Sequence, residues 1–116
     1  MRYVCLVYFD PRKVFNQSAE AMAVLRDSGP YNDELRASGH LVMDQALKLP
    51  DQAMTVRVRD GKMSAVDGPF METKEALGGY SVLETDTIEE AVEIAQTWPG
   101  VDRGWITIEV RPTVEM

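Results

Sequence analysis

The chain has 116 residues, 45% of them hydrophobic, which is enough for one domain of ordinary size with a real core. A formal net charge of −7, with no compensating basic run, disfavours nucleic acid as a partner. One cysteine, Cys5, and one histidine, His40, exclude an intramolecular disulfide and leave too few ligands for a zinc or iron–sulfur site. We therefore expect a single domain over residues 1–116 without a metal.

The N-terminal segment has the pattern of a central strand. Arg2–Phe9 is apolar on both alternating faces, as in a strand that is buried from both sides, and Cys5 within it is expected to be an inert core thiol. The apolar run is too short for a membrane span and lacks a signal-peptide cleavage pattern. We therefore expect a cytoplasmic protein with no membrane contact.

The next segment predicts a helix and a second strand. Ser18 is a typical helix cap, and the helix is expected to carry Met22 and Leu25. Pro30 either kinks this helix or opens a second one that ends at Gly39. The strand that follows covers residues 40–49. His40, at its start, has two interpretations: an imidazolium near the carbonyl end of the helix, or a ligand contact.

The clearest local signal is a β-hairpin over residues 54–66. Two alternating runs are joined by Asp60 and Gly61, a preferred two-residue turn. Continuing the register outward from this turn places Met54 opposite Asp67, on the apolar side of the ribbon. The arginines of the other side, at positions 57 and 59, either bind an anion or keep an exposed ribbon soluble.

The C-terminal part predicts a strand, a helix and a closing strand. Residues 80–86 read as the first strand, and Thr87 with Glu90 forms a capping box. The closing strand contains apolar residues at positions 106, 108 and 110. The inward helical face is predicted to consist of Ile88, Ala91, Val92, Ala95 and Trp98.

The order of these elements predicts an α+β fold: a ferredoxin-like βαββαβ sandwich with an inserted β-hairpin. Both helices then cover one face of the sheet and leave the other bare, although the first strand is apolar on both faces. A second copy of the chain is the simplest cover for that face, because soluble monomers rarely expose large apolar patches. We therefore expect a homodimer.

The segment from Asp67 to Glu75 has two interpretations. In one, Asp67 points inward from the hairpin, where burial would poise its carboxylate as an acid or base, and Phe70 anchors the following segment in the apolar layer. In the other, Asp67 only accepts hydrogen bonds within its own turn, and the charges that follow are a solvated run. In the first case Glu72 is a second candidate base, and Lys74 would steady an anionic substrate or enolate.

The stretch from Thr55 to Gly100, with the terminal IEVRP, closely resembles the DGPF proteins of the YCII-related family. The signature Asp-Gly-Pro-Phe-x-Glu-Thr-Lys-Glu stands intact at residues 67–75. The resemblance implies a ferredoxin-like subunit that dimerises as in the dimeric α+β barrel superfamily. It implies no settled activity, since most members are uncharacterised.

Two functions follow from the resemblance and the loop. In the first, the protein is a small-molecule enzyme without a cofactor that performs proton abstraction, elimination or isomerisation. One branch of the wider family eliminates halide from a chlorinated ring-cleavage product. Relatives with an Asp–His pair are proposed enzymes, and they place the histidine in the helix region that corresponds to residues 28–35. Here those residues contain no histidine, which is a departure from an Asp–His mechanism. In the second, it is a non-catalytic ligand-binding or regulatory dimer, because DGPF members occur beside sigma factors of the extracytoplasmic-function type. The enzyme hypothesis names two sets of residues: Asp67, Glu72 and Lys74 as catalytic, and Gly68, Pro69, Phe70 and His40 as ligand-binding.

Overall fold

The structure is a computed structural model that describes residues 1–14 and 18–115. A short 3₁₀ turn, Pro50–Gln52, precedes the hairpin. The helices and strands are β1 (Arg2–Phe9), α1 (Pro11–Val14), α2 (Ala19–Ala37), β2 (Leu41–Ala46), β3 (Met54–Arg59), β4 (Lys62–Asp67), β5 (Ala76–Glu84), α3 (Ile88–Gln96) and β6 (Ile106–Pro112).

The main sheet has the strand order β2-β5-β1-β6, and all its neighbouring strands are antiparallel. This is the order of a βαββαβ ferredoxin-like sandwich, with β3 and β4 inserted as a separate two-stranded ribbon. The predicted fold class and the central position of β1 are therefore confirmed. The two long helices, α2 and α3, follow β1 and β5 respectively, as predicted.

The core lies between the sheet and the helices. Its buried cluster brings together Tyr3 and Cys5 of β1, Leu41 of β2, Leu83 of β5 and Ala91 of α3. Cys5 is fully buried, and burial raises its pKa to about 11. A thiol in this environment stays protonated at neutral pH, so the structure agrees with an inert core cysteine.

Helix α2 carries Met22 and Leu25, as predicted. The Ser18 side chain accepts a hydrogen bond from the Ala21 N–H at 3.0 Å, which confirms the cap. The helix continues through Pro30, so the alternative of two separate segments is excluded. The inward residues, however, are Ala21 and Val24, whereas Met22 and Leu25 are exposed. Apolar residues are continuous from position 21 to 25, so helical periodicity could not select the buried face.

Helix α3 agrees with the prediction in part. Thr87 caps it by accepting a hydrogen bond from the Glu90 N–H at 3.2 Å. The predicted residues Ala91, Ala95 and Trp98 are buried. Ile88 and Val92, at the flanks of the predicted face, are 36% and 37% exposed, so their predicted inward position was wrong.

The glycine pair within β5 allows close packing, and we expect Gly79→Ala to destabilise the protein. A Cβ at Gly79 would lie 2.7 Å from the Gln45 carbonyl oxygen of β2, which is main chain and cannot rotate away. Overpacking of this kind typically costs about 1–3 kcal/mol of unfolding free energy. Urea unfolding measures the change.

The control is Gly29→Ala inside α2, where an added Cβ would have no atom within 4 Å. This substitution should raise the free energy of unfolding by about 0.5–1 kcal/mol. Equal stability of the two variants would contradict the assigned strand contact.

Candidate functional site

The hairpin has the predicted register but leaves Asp67 exposed. Met54 pairs with Asp67, and the turn residues Asp60 and Gly61 have φ of 50° and 76°, as a two-residue hairpin turn requires. The ribbon pairs with no strand of the main sheet. Its apolar side is therefore open, and the expected inward position of the Asp67 carboxylate was wrong in the single chain.

The turn after Asp67 is fastened to the beginning of β3. The Gly68 N–H donates to the Ala53 carbonyl at 2.7 Å, and the Thr55 hydroxyl donates to the Gly68 carbonyl at 2.8 Å. Gly68 has φ of 100°, which L side chains rarely adopt. Part of the signature therefore fixes the path of the chain, whatever else it does.

Phe70 does not anchor the loop in the apolar layer. Its side chain is 67% exposed, and the Arg57 guanidinium lies 5.4 Å from the centroid of its ring. This distance is within the range of a cation–π contact. The expected burial of Phe70 was therefore wrong, as was that of Asp67, and both side chains are exposed in the structure.

The loop forms one wall of a cavity of about 990 Å³, which we call the loop cavity. Residues 68–73 form this wall, residues 47–53 also line the cavity, and Tyr8, Ala76 and Leu77 contribute from the sheet. Tyr8 lies on the face opposite the helices by the alternation of β1, and Leu77 lies on the same face because it pairs with Tyr8 after a shift in the strand register. Of the three predicted catalytic residues, only Glu72 lines this cavity.

Lys74 lies in a smaller recess that adjoins the loop cavity. The recess has a volume of about 510 Å³, and its charged residues are Asp10, Arg12 and Lys74. Asp67 lines neither space. The structure therefore separates the predicted catalytic residues: Glu72 and Lys74 occupy neighbouring sites, whereas Asp67 lies outside both.

Asp10 is a site residue that sequence analysis did not identify. It is buried directly after β1 and accepts hydrogen bonds from Arg12 Nε at 3.1 Å and from Nη2 at 2.9 Å. The hydrogen bond from the Arg12 side chain lowers the pKa of the Asp10 carboxyl to about 2, against the opposing effect of burial. The available signal was Asp10 before Pro11, the pattern of a helix cap followed by proline at the first helical position.

We expect Asp10→Asn to reduce the loss of stability in acid. A carboxyl whose pKa is lower in the folded state contributes stability above its unfolded pKa of about 3.9, and this is lost as pH falls towards 2. Urea midpoints at pH 7 and pH 3 should therefore differ less in Asp10→Asn than in the wild type. The exposed residue Asp102 provides the control Asp102→Asn, which should retain the wild-type difference. An unchanged difference in Asp10→Asn would contradict the Asp10–Arg12 assignment.

His40 is not brought to the loop. Its Nδ1 lies 3.2 Å from the Glu84 carbonyl oxygen, and its Nε2 lies 3.8 Å from a Glu90 carboxylate oxygen. These contacts connect the start of β2 with the end of β5 and with α3. His40 lines neither the loop cavity nor the recess, so the geometry gives it no ligand contact there.

Two features are absent from the part of the chain that the structure describes. Residues 1–14 and 18–115 contain no group of three or more His, Cys, Asp or Glu side chains placed to hold a metal ion. In the same residues, no helix has the length and apolar character needed to cross a membrane.

Comparison with known proteins gives consistent matches over the whole chain. The family model of the YCII-related domain matches residues 1–116. An uncharacterised protein of Rhizobium meliloti is 30% identical over 113 residues, which cover 97% of this chain and 91% of that protein. The structure of 5-chloro-2-hydroxyhydroquinone dehydrochlorinase (TftG) of Burkholderia phenoliruptrix, in complex with 2,5-dihydroxybenzoquinone, superposes with a TM-score of 0.59. It covers 100% of this chain and 96% of its own, at 12% identity, which is a likeness of fold.

Proposed function

We propose that this chain, which belongs to the YCII-related family, is a small-molecule enzyme that abstracts a proton and drives elimination or isomerisation without a cofactor. We assign the reaction to the loop cavity. Glu72 is the general base, and Lys74 in the adjoining recess steadies an anionic substrate. Within the family we assign the chain to the DGPF branch, because the signature at residues 67–75 is intact.

The observation that carries this proposal is the position of Glu72. Glu72 lines a cavity large enough for a small organic molecule, and the other residues of that cavity are mainly apolar. In an elimination, Glu72 would take the proton from carbon, and the electron pair of that C–H bond would form the new double bond. The leaving group would depart with the electron pair of its bond to carbon. Asp67 lines neither space, so the geometry favours Glu72 over Asp67 as the base.

The structural neighbour supports the reaction class by analogy. TftG is a dehydrochlorinase that was solved with a quinone, and its fold extends over the whole of this chain. Loss of hydrogen chloride from a ring is a proton abstraction followed by departure of an anion. We propose a reaction of this class here.

The test is a ligand screen followed by a turnover assay. Halogenated hydroquinones, hydroxybenzoquinones and small aromatic acids are screened by thermal shift, since a ligand that binds the folded state raises the apparent Tm. Compounds that bind are then followed for halide release and for change in ultraviolet absorbance. We expect at least one compound that binds and is converted. Compounds that bind in the loop cavity but are never converted would contradict the enzyme and support the binding module.

A second candidate function is a non-catalytic interaction or regulatory module of the kind linked to sigma factors. The observation in its favour is the open apolar side of the hairpin, where Met54, Val56, Val58 and Met63 are each at least 60% exposed. Contiguous apolar surface of this kind marks a site of protein contact.

We propose that a second copy of this chain covers the open sheet face in a homodimer. The apolar side of the hairpin could then form part of the same interface.

A further inference from the structure

The recess beside the loop cavity combines a buried carboxylate with two cationic side chains. Asp10, Arg12 and Lys74 together carry a formal charge of +1, from one anion and two cations, in a chain whose net charge is −7. The recess and the loop cavity are direct neighbours, because they have wall residues in common. The shared residues are Pro50, Thr73 and Ala76.

Arg12 is fixed on one side and open on the other. Asp10 is 4% exposed and holds Arg12 through both carboxylate oxygens, and it also accepts the Arg12 main-chain N–H at 3.0 Å. The Arg12 side chain itself is 71% exposed. A guanidinium has five N–H donors, and the two side-chain bonds to Asp10 use two of them. Three donors therefore remain on a group whose position is already set.

Lys74 supplies the second positive charge. Within residues 1–14 and 18–115, no carboxylate oxygen lies within 4 Å of its amine. Lys74 lines the same recess as Asp10 and Arg12. The preceding residue, Thr73, donates a hydrogen bond to the Glu75 carbonyl, which stabilises the turn that carries Lys74.

We propose that Arg12 and Lys74 form a subsite for the carboxylate group of a small aromatic acid whose ring lies in the loop cavity. The inference rests on the proposed function, because it names the substrate class of that site. A guanidinium edge matches the planar carboxylate, and a lysine amine adds a point charge. Tyr8, Leu49 and Phe70 provide apolar wall for the ring. Neither cation interacts with Glu72 in the structure, so base and anion subsite are separate.

The experiment compares benzoate with benzamide, a neutral molecule of nearly the same shape. Both are titrated into the full ¹⁵N-labelled chain and followed by NMR. We expect benzoate to bind at least about tenfold more tightly than benzamide, because its charge makes the hydrogen bonds stronger. The largest amide shifts should lie at Arg12, Thr73 and Lys74. Equal affinities, or largest shifts outside the recess and the loop cavity, would overturn the proposal.

Variants test the two cations separately. Arg12→Gln and Lys74→Gln should each weaken benzoate binding about tenfold and leave benzamide unchanged, and Arg12→Lys should fall between wild type and Arg12→Gln because it keeps charge without the planar fork. The exposed residue Arg26 provides the control Arg26→Gln, with unchanged affinity. Lys74 is exposed, so Lys74→Gln keeps the test informative if Arg12→Gln fails to fold. Unchanged benzoate affinity in Lys74→Gln and in any folded Arg12 variant would overturn the proposal.

The outcome separates the subsite from the enzyme. Benzoate binding in the recess without turnover of any compound would keep the subsite and remove the catalytic function. Turnover at the loop cavity with equal affinity for benzoate and benzamide would keep the enzyme and remove the subsite.

Discussion

Glu72→Gln is expected to lower kcat of the proposed reaction by about 10²–10⁴-fold, the usual contribution of a general base. Glutamine keeps the size of the side chain but cannot accept the substrate proton. Glu72 is exposed on the wall of the loop cavity, so the substitution should leave the fold intact and change ligand affinity little. Steady-state kinetics, a binding titration and the Tm of the variant measure these three quantities.

The matched control is Glu75→Gln, three residues further along the same loop. Glu75 is exposed and lines neither the loop cavity nor the recess, so its kcat should equal that of the wild type. Asp67→Asn is the decisive comparison. If Asp67→Asn abolishes turnover while Glu72→Gln retains it, the assignment of Glu72 is wrong and the base is Asp67.

Leu6→Asp is expected to convert the proposed homodimer into a folded monomer. In the register of the sheet, Leu6 lies between Tyr80 of β5 and Glu109 of β6, on the face that the helices do not cover. A partner covering this face would bury the new carboxylate without a counter-charge, which costs several kcal/mol for each copy. Light scattering at micromolar concentration should give the dimer mass for the wild type and the monomer mass for the variant.

The control is a substitution on the same face of the sheet, in the polar edge strand β6. Thr107 pairs with Tyr8 in the edge strand β6 and is already exposed, so Thr107→Asp should leave the mass unchanged. A wild-type protein that is monomeric at micromolar concentration would contradict the homodimer. A dimeric Leu6→Asp variant would place the interface elsewhere, with the open side of the hairpin as the next candidate.

The features that the sequence predicted correctly depend on local rules. The pairing of Met54 with Asp67 follows from the turn at Asp60 and Gly61, because side chains alternate with a period of two. The same rule assigns Asp67 to one side of the ribbon but does not say what covers that side. Burial of Asp67 and Phe70 was therefore predicted for a surface that the single chain leaves open.

The recess could not be predicted because it joins distant parts of the chain. Asp10 follows the first strand, whereas Lys74 precedes the third strand of the main sheet, and the pairing of Phe9 with Ala76 brings them together. Nothing in the sequence near either residue indicates this proximity. The sheet order therefore had to be known before Arg12 and Lys74 were recognised as neighbours.

The most direct test of the central claim, that residues 47–53 and 68–73 enclose a catalytic site, is a crystal structure with a compound that the protein binds and converts. We expect the compound between these two segments, with its acidic C–H or O–H group about 2.6–3.2 Å from a Glu72 carboxylate oxygen. A compound bound elsewhere, or a loop cavity filled by the partner subunit, would contradict the claim.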